Sequence, residues 1–303
     1  MGWIGNEPDY SFRRLDGTVS GTTGTIGSAT DVHELQEDAE GNFDLITAPV
    51  VAHQDLSALG GPTDAPILDC VAQIVSPSGS LVWSWSALAH IPAAEFDLPS
   101  LNDATVDVGG NTAYDIYHCN SLEVTPSTVL VSFRHLDAVY LIDRASGDII
   151  WKLGGKHRAE SLTVSGDDRA VSLDGQHDAR LAPDGVLTLN DNGTFWNDGP
   201  PRAVSFKIDQ AARTATFISE VTDPTVSSAI CCGSARLLDS GNWLVGWGAS
   251  STFGEYQPDG TPVFRITWSD SISSYRTVPV PLGTFELADV RAGMNAMNPR
   301  PAS

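Results

Sequence analysis

Three histidines of this 303-residue chain stand at one register. His33 lies eight residues before Gly41, and His177 lies eight before Gly185; His33, His118 and His177 each lie twelve before a leucine, at Leu45, Leu130 and Leu189. With only 7 histidines in the chain, three at one register point to a shared task rather than to scattered surface residues. Imidazole titrates near neutral pH, so it can serve as nucleophile, base or acid. Arg134, in the run SFRHL, adds a guanidinium. Neighbours on a strand point to opposite faces, so one of Arg134 and His135 is expected to join the histidines, and we assign Arg134. An arginine fork beside three imidazoles describes an anion site. His53 and His157 lie in polar, glycine-containing stretches and are expected to be solvated, while His90 has no clear setting.

The elements that position these side chains are read from turns. Short apolar runs are punctuated by AEGNFDLI, SPSGSLVW, RASGDIIW, APDGVLTL, DSGNWLVGW and QPDGTPVF, each a glycine turn at hairpin spacing. This is an all-β pattern, with residues 87 to 96 as the one helix candidate. Two kinds of hairpin alternate, and a pair makes a four-stranded unit, the size of a β-propeller blade. The expected fold is a single β-propeller domain over 1–303, with blade-like units at about 31–86, 116–154, 175–222 and 231–268. A Pro- and Asp-rich insertion near 50 to 68 and an irregular segment at 87 to 113 interrupt the repeat. Four units plus the ends make either a small closed ring or part of a larger one, and the latter implies sequence upstream. Equivalent positions in successive blades lie at one level of a propeller. On an inner strand the three histidines would therefore converge on the central channel, while the fourth unit has Gly233 at that register.

Composition narrows the partners. There are 38 Asp+Glu against 17 Lys+Arg, a formal net charge of -21, so nucleic acid is excluded for want of a basic footprint and an anionic membrane surface is disfavoured. No stretch has the ~20 apolar residues of a spanning helix. The first residues lack the basic start and apolar middle of a signal peptide. Four cysteines, Cys70, Cys119, Cys231 and Cys232, offer no CxxC spacing for a metal site, and none is expected. Adjacent cysteines sit ~3.8 Å apart at Cα, too close for an unstrained disulfide. One of Cys231 and Cys232 could pair with Cys70, but buried free thiols are the default expectation.

The ordered segments DVHELQ, YHCNS, VSFRH, IDRASGDIIWKLGG, QHDARLAPDG, DNG, GSARLLDSGNWLVGWG and SYR resemble the arylsulfotransferase (aryl-sulfate sulfotransferase) family over about 30 to 280. The resemblance implies a six-bladed propeller, N-terminally incomplete here, and an exported, periplasmic or secreted protein whose signal would lie upstream of Met1. It implies sulfuryl transfer from a phenolic sulfate donor to an acceptor phenol, without an adenylyl-sulfate cofactor. The family's sulfated histidine matches His177 of QHDAR, its other channel histidines match His33 and His118, and its anion-binding arginine matches Arg134. These are the residues picked out by register. Cys119, beside His118, stands where the family typically has an aliphatic residue.

The expected chemistry is a ping-pong transfer through N-sulfohistidine at a neutral His177, with Arg134 on the sulfonate oxygens and His118 and His33 sharing hydrogen-bond and acid–base work. Asn120, Trp196 and Trp247 are candidates for donor binding, with core packing the competing role for the tryptophans. Two other readings stand beside this one. One is a sulfate-ester hydrolase using the same channel; the other is a non-catalytic binding module whose histidines hold an anion or, against the repulsion of Arg134, a metal.

Overall fold

A computed structural model of the protein describes residues 2–4, 9–169, 173–197, 199–269 and 273–299. Strand outweighs helix by 44% to 10%, and the fold is an all-β propeller architecture. Four antiparallel four-strand sheets carry the blade pattern. The first comprises Thr30–Glu37, Phe43–Thr47, Val71–Val75 and Leu81–Ser86, and the second Cys119–Val124, Thr128–Phe133, Ala138–Asp143 and Ile149–Gly154. The third comprises His177–Leu181, Val186–Asp191, Arg202–Asp209 and Thr214–Val221, with Thr163–Ser165 added in parallel at its edge. The fourth comprises Ser234–Leu237, Trp243–Gly246, Thr252–Tyr256 and Pro262–Thr267.

Turn chemistry sets the hairpins. Gly41 and Gly185 adopt φ of 81° and 84°, a region that costs glycine little. Their N–H groups close the turns onto Asp38 O at 3.0 Å and Ala182 O at 2.8 Å. Strand alternation then divides the core. In the second sheet Val129, Val131, Tyr140 and Ile142 pack toward the first sheet, with Trp85 and Ile46. Leu130, Val139 and Leu141 from the same strands face the third sheet, with Leu189, Val204 and Phe206. A sheet that is apolar on both faces has to be sandwiched, and this period-two split stacks the blades.

The two irregular stretches of sequence combine. Val50–Gln54 and Ala65–Leu68 pair with each other, and Asn111–Tyr114 joins Ala65–Leu68 in parallel, so that with Thr105–Val108 they form a separate four-stranded sheet. Gly2–Ile4, Tyr10–Arg13 and Val19–Thr23 form a three-stranded sheet. The helix candidate is reduced to one turn, Ala87–His90, and a 3-10 turn, Ala93–Glu95. A helix at Leu287–Met297 is not foreshadowed, because only Gly293 of it is buried and the sequence there has no apolar stripe to read. Among the described residues no helix is long and apolar enough to cross a membrane.

The cysteine expectation is corrected. Cys70 is bonded to Cys119, across a sequence separation of 49, and Cys231 and Cys232 are the free pair. Cys70 just precedes the strand Val71–Val75 and Cys119 opens an inner strand, so the thiol at the family's aliphatic position is a covalent tie between neighbouring sheets.

Candidate active site

The first strands of the four sheets lie side by side about the axis. Asn120 Nδ2 donates to Gln176 O at 2.8 Å, Gln36 Nε2 donates to Leu122 O at 2.5 Å, and Arg236 Nη2 bonds Asp178 Oδ1 at 2.8 Å. Pairing in each of the first three is irregular at or beside its histidine: the register shifts between Thr30 and Leu35, around His33, between Cys119 and Ser121, just after His118, and between His177 and Arg180, just after His177. His118 itself has a φ of 48° and Asp178 one of 57°. A bulge turns a side chain out of the strict alternation. Each of the three histidines thus stands at or next to a break in strand pairing.

The rings meet. His33 and His118 lie with centroids 4.9 Å apart, and Tyr275 stands edge-on to His33 at 5.7 Å and to His177 at 6.4 Å. Their partners differ. His33 Nδ1 bonds Asp31 Oδ1 at 2.5 Å, and His118 Nδ1 bonds Asp115 Oδ2 at 2.5 Å. Burial opposes charge on His33, yet the hydrogen bond and negative charge of Asp31 raise its pKa overall. Burial also works against the charge of Asp115, which is nonetheless held down at about 2 by His118.

Among the described residues His177 has no carboxylate partner. Its Nδ1–H donates to Gly175 O at 3.0 Å and Asn192 Oδ1 at 2.9 Å, leaving the lone pair on Nε2, which accepts the N–H of Cys232 at 3.1 Å. The ring is 1% exposed. Burial first, then the nearby His118, His33 and Arg134, push its pKa well below the usual imidazole value. A buried imidazole held unprotonated, with Nε2 as the accepting nitrogen, has the chemistry a nucleophile needs.

Arg134 joins the group, and so does His135. The run SFRHL does not continue as a strand, because Arg134–Leu136 is a 3-10 turn, so the expectation that only one of the two faces inward fails. Arg134 Nη1 donates to His135 Nε2 at 2.7 Å and Nη2 to Ile230 O at 2.8 Å, while Nε, buried, has no partner. His135 Nδ1 bonds Asp115 O at 2.5 Å, and its ring lies 4.5 Å from that of His118. Asp115, His118 and His135 have ligand atoms within 4.8 Å of one another. Both nitrogens of His135 are spent in hydrogen bonds, one of them with a guanidinium, so a metal would have to displace Arg134.

The tryptophans lie elsewhere. Trp247 is fully buried just after the strand Trp243–Gly246, donating to Tyr256 Oη at 2.8 Å and packed in the core with Trp243 and Val245. Trp196, 43% exposed, donates to Asp97 O and Asp137 Oδ2, and lines a pocket of about 250 Å³ with Asp97, Asp137 and His157 rather than with the three histidines. Asn120 is at the site, with a buried Oδ1 lacking a partner. Tyr275 Oη and Arg134 Nε are also buried without one. Of the other histidines, His53 is exposed against Asp64, His157 is exposed, and His90 stacks on Trp85 at 4.7 Å.

Beneath the rings runs a buried ion network that register reasoning passed over. Glu34 bonds Arg180 at 2.8 Å and Arg276 at 2.6 Å, and Asp178 bonds Arg180 and Arg236, each at 2.8 Å. Arg276 also donates to His33 O at 3.2 Å and Asn120 O at 3.1 Å. Despite its burial, Glu34 is held down at about 2 by Arg276 and Arg180. Its signal was present: Glu34 and Asp178 each follow a register histidine, and Arg180 and Arg236 each stand three after the register position.

A family model described as arylsulfotransferase (ASST) matches residues 10–269. The chain belongs to the arylsulfotransferase family. No curated protein matches it. Among solved structures, it is similar to a protein of unknown function from Bacteroides caccae, with 15% identity over 66% of this chain and 54% of that one, at a TM-score of 0.36. A β-propeller domain from Myceliophteria thermophila is similar at 12% identity, over 88% of this chain and 84% of that one, with a TM-score of 0.42. The chain thus spans about half the length of the Bacteroides protein.

Proposed function

We propose that the protein moves a sulfuryl group from a phenolic sulfate ester to an acceptor phenol by two displacements, with His177 carrying the group in between. The observation that carries this reading is the state of His177, whose Nδ1 proton is committed to Gly175 O and Asn192 Oδ1 while Nε2 keeps its lone pair. In the first displacement Nε2 attacks sulfur, the S–N bond forms as the S–O bond to the aryl group breaks, and the departing phenolate takes a proton from His33. Asp31 favours that proton on His33. In the second the acceptor gives its proton to His33, its oxygen attacks sulfur, and the S–N bond breaks. Arg134 Nε–H and the N–H of Cys232, freed as Nε2 reacts, would meet the sulfonate oxygens. His118 donates from its outer nitrogen, and Asn120 lies against the same space.

The reading needs no adenylyl-sulfate nucleotide, since the ester itself is the donor. We place the protein in the periplasm or outside the cell, and the Cys70–Cys119 disulfide supports an oxidising compartment. The test is a chromogenic aryl sulfate with and without acceptor phenol. Turnover that requires the acceptor, a protein-bound sulfuryl adduct by mass, and loss of both in His177→Asn support the proposal. Continued phenol release without acceptor would instead make the protein a hydrolase. Neither release nor adduct, across a broad donor panel with folded protein, would make the propeller a binding module.

A further inference from the structure

The transfer reading does not use the thiols of Cys231 and Cys232. Their segment is pinned at every carbonyl: Ile230 O takes Arg134 Nη2 at 2.8 Å, Cys231 O takes the N–H of Ala249 at 2.9 Å, and Cys232 O takes Asn190 and Asn192 Nδ2 at 3.2 and 3.1 Å. Cys232 is held at a φ of 70°, in the left-handed region that a β-carbon disfavours. Both residues are half-buried, and both thiols are free. The surroundings are cationic, with Arg134 and His33 both acting on Cys231.

We propose that Cys231 and Cys232 form a binding site for thiophilic ligands that bridge two thiols, and that a ligand held there is felt at His177. The simplest such ligand is a monosubstituted trivalent arsenical. Its reaction balances without an oxidant: two As–S bonds form, the As=O oxygen leaves as water with the two thiol protons, and arsenic stays trivalent. A one-atom bridge spans a wider sulfur-to-sulfur gap than a direct S–S bond, which suits neighbours whose Cα atoms are too close for an unstrained disulfide. Deprotonation is assisted at the first thiol. The hydrogen bond from Cys232 brings Cys231 down to about 6 against its burial, with Arg134 and His33 adding to the effect, and the proton shared by the pair stays with Cys232. The link to His177 is the Cys232 N–H on Nε2.

The probe is phenylarsine oxide added to the intact protein with its Cys70–Cys119 disulfide in place. One arsenical per chain by mass is expected, with two fewer thiols reacting with a chromogenic disulfide, release by a small dithiol, and retention against a monothiol. Cys231→Ser and Cys232→Ser, each checked for native circular dichroism, should bind about 100-fold or more weaker because chelation is lost. The His177 imidazole signal, assigned by its absence in His177→Asn, should shift on binding to the unaltered protein. Adduct formation only after unfolding, or full affinity in either serine variant, would overturn the site; an unmoved His177 signal would overturn the coupling. None of these readouts depends on sulfuryl transfer, so they stand or fall apart from that reading.

Discussion

Arg134 Nη1 donates to His135 Nε2 at 2.7 Å, although the two residues are neighbours in sequence and would be on opposite faces of a strand. The 3-10 turn at Arg134–Leu136 brings them together, and Asp115 O on His135 Nδ1 fixes the tautomer that accepts. Burial, followed by the charge of His118, lowers the His135 pKa to about 3, so the ring remains an acceptor across the working range. His135 is a positioning residue for the guanidinium.

His135→Ala is therefore expected to cut kcat/KM for an aryl sulfate by about 10- to 100-fold, the range for a hydrogen bond to a charged group. His135→Gln, whose amide oxygen can take Nη1, should recover part of the loss. Steady-state kinetics with one donor check both, and equal kinetics in the alanine variant and the unaltered protein would dismiss the role.

His177 and His33 together predict a plateau with two limbs. His177, lowered, should stay neutral well below pH 6.5, and His33, raised, should keep its proton above pH 6.5. Transfer should rise on the acid side as His177 loses its proton and fall on the alkaline side as His33 loses its own. Asp31→Asn removes the cause of the upward shift, so the alkaline limb alone should move to lower pH in a kcat/KM profile.

Glu34 sits between Arg180 and Arg276 with 1% exposure. Glu34→Gln leaves two guanidinium groups short of a buried partner and should cost about 3–5 kcal/mol, read from denaturant unfolding. Because the folded pKa, about 2, lies below the ordinary 4.5, the stabilisation is full above pH 4.5 and is lost as pH falls toward 2. The variant should lose that part of the acid dependence.

The fold was legible where its physics is local. A glycine turn announces itself at Gly41 or Gly185, and the three histidines share a spacing because the inner strands repeat, each with a break in pairing at or just after its histidine. Gly233 breaks the pattern for a reason seen only in three dimensions: a β-carbon there would lie 2.5 Å from Asn190 Nδ2 and 2.8 Å from Gly246 O. Trp196 and Trp247 stood open between binding and packing, because an aromatic residue in a blade looks the same in sequence either way. Tyr275 and the Cys70–Cys119 bond escaped because each depends on partners far along the chain.

Reducing that bond should destabilise the protein by roughly 2–4 kcal/mol, the usual range for a cross-link closing a loop of this size. Thermal unfolding with and without reductant measures the loss. Cys70→Ser with Cys119→Ser should match the reduced protein, and because Cys119 follows His118, transfer activity should fall along with the melting temperature. A double variant as stable as the oxidised protein would rule out the tie as a support.

Arg276 touches the backbones of His33 and Asn120 and the side chains of Glu34 and Asp178. Its separation from Glu34 is 242 residues, so the contact closes most of the 303-residue chain. Contacts this distant are slow to form, because the intervening loop has to be ordered first. During synthesis the early sheets emerge long before the arginine does, with Glu34 lacking one of its two cationic partners. The histidine cluster therefore matures late, and a nascent chain interrupted before residue 276 would hold the rings without the guanidinium that joins their strands.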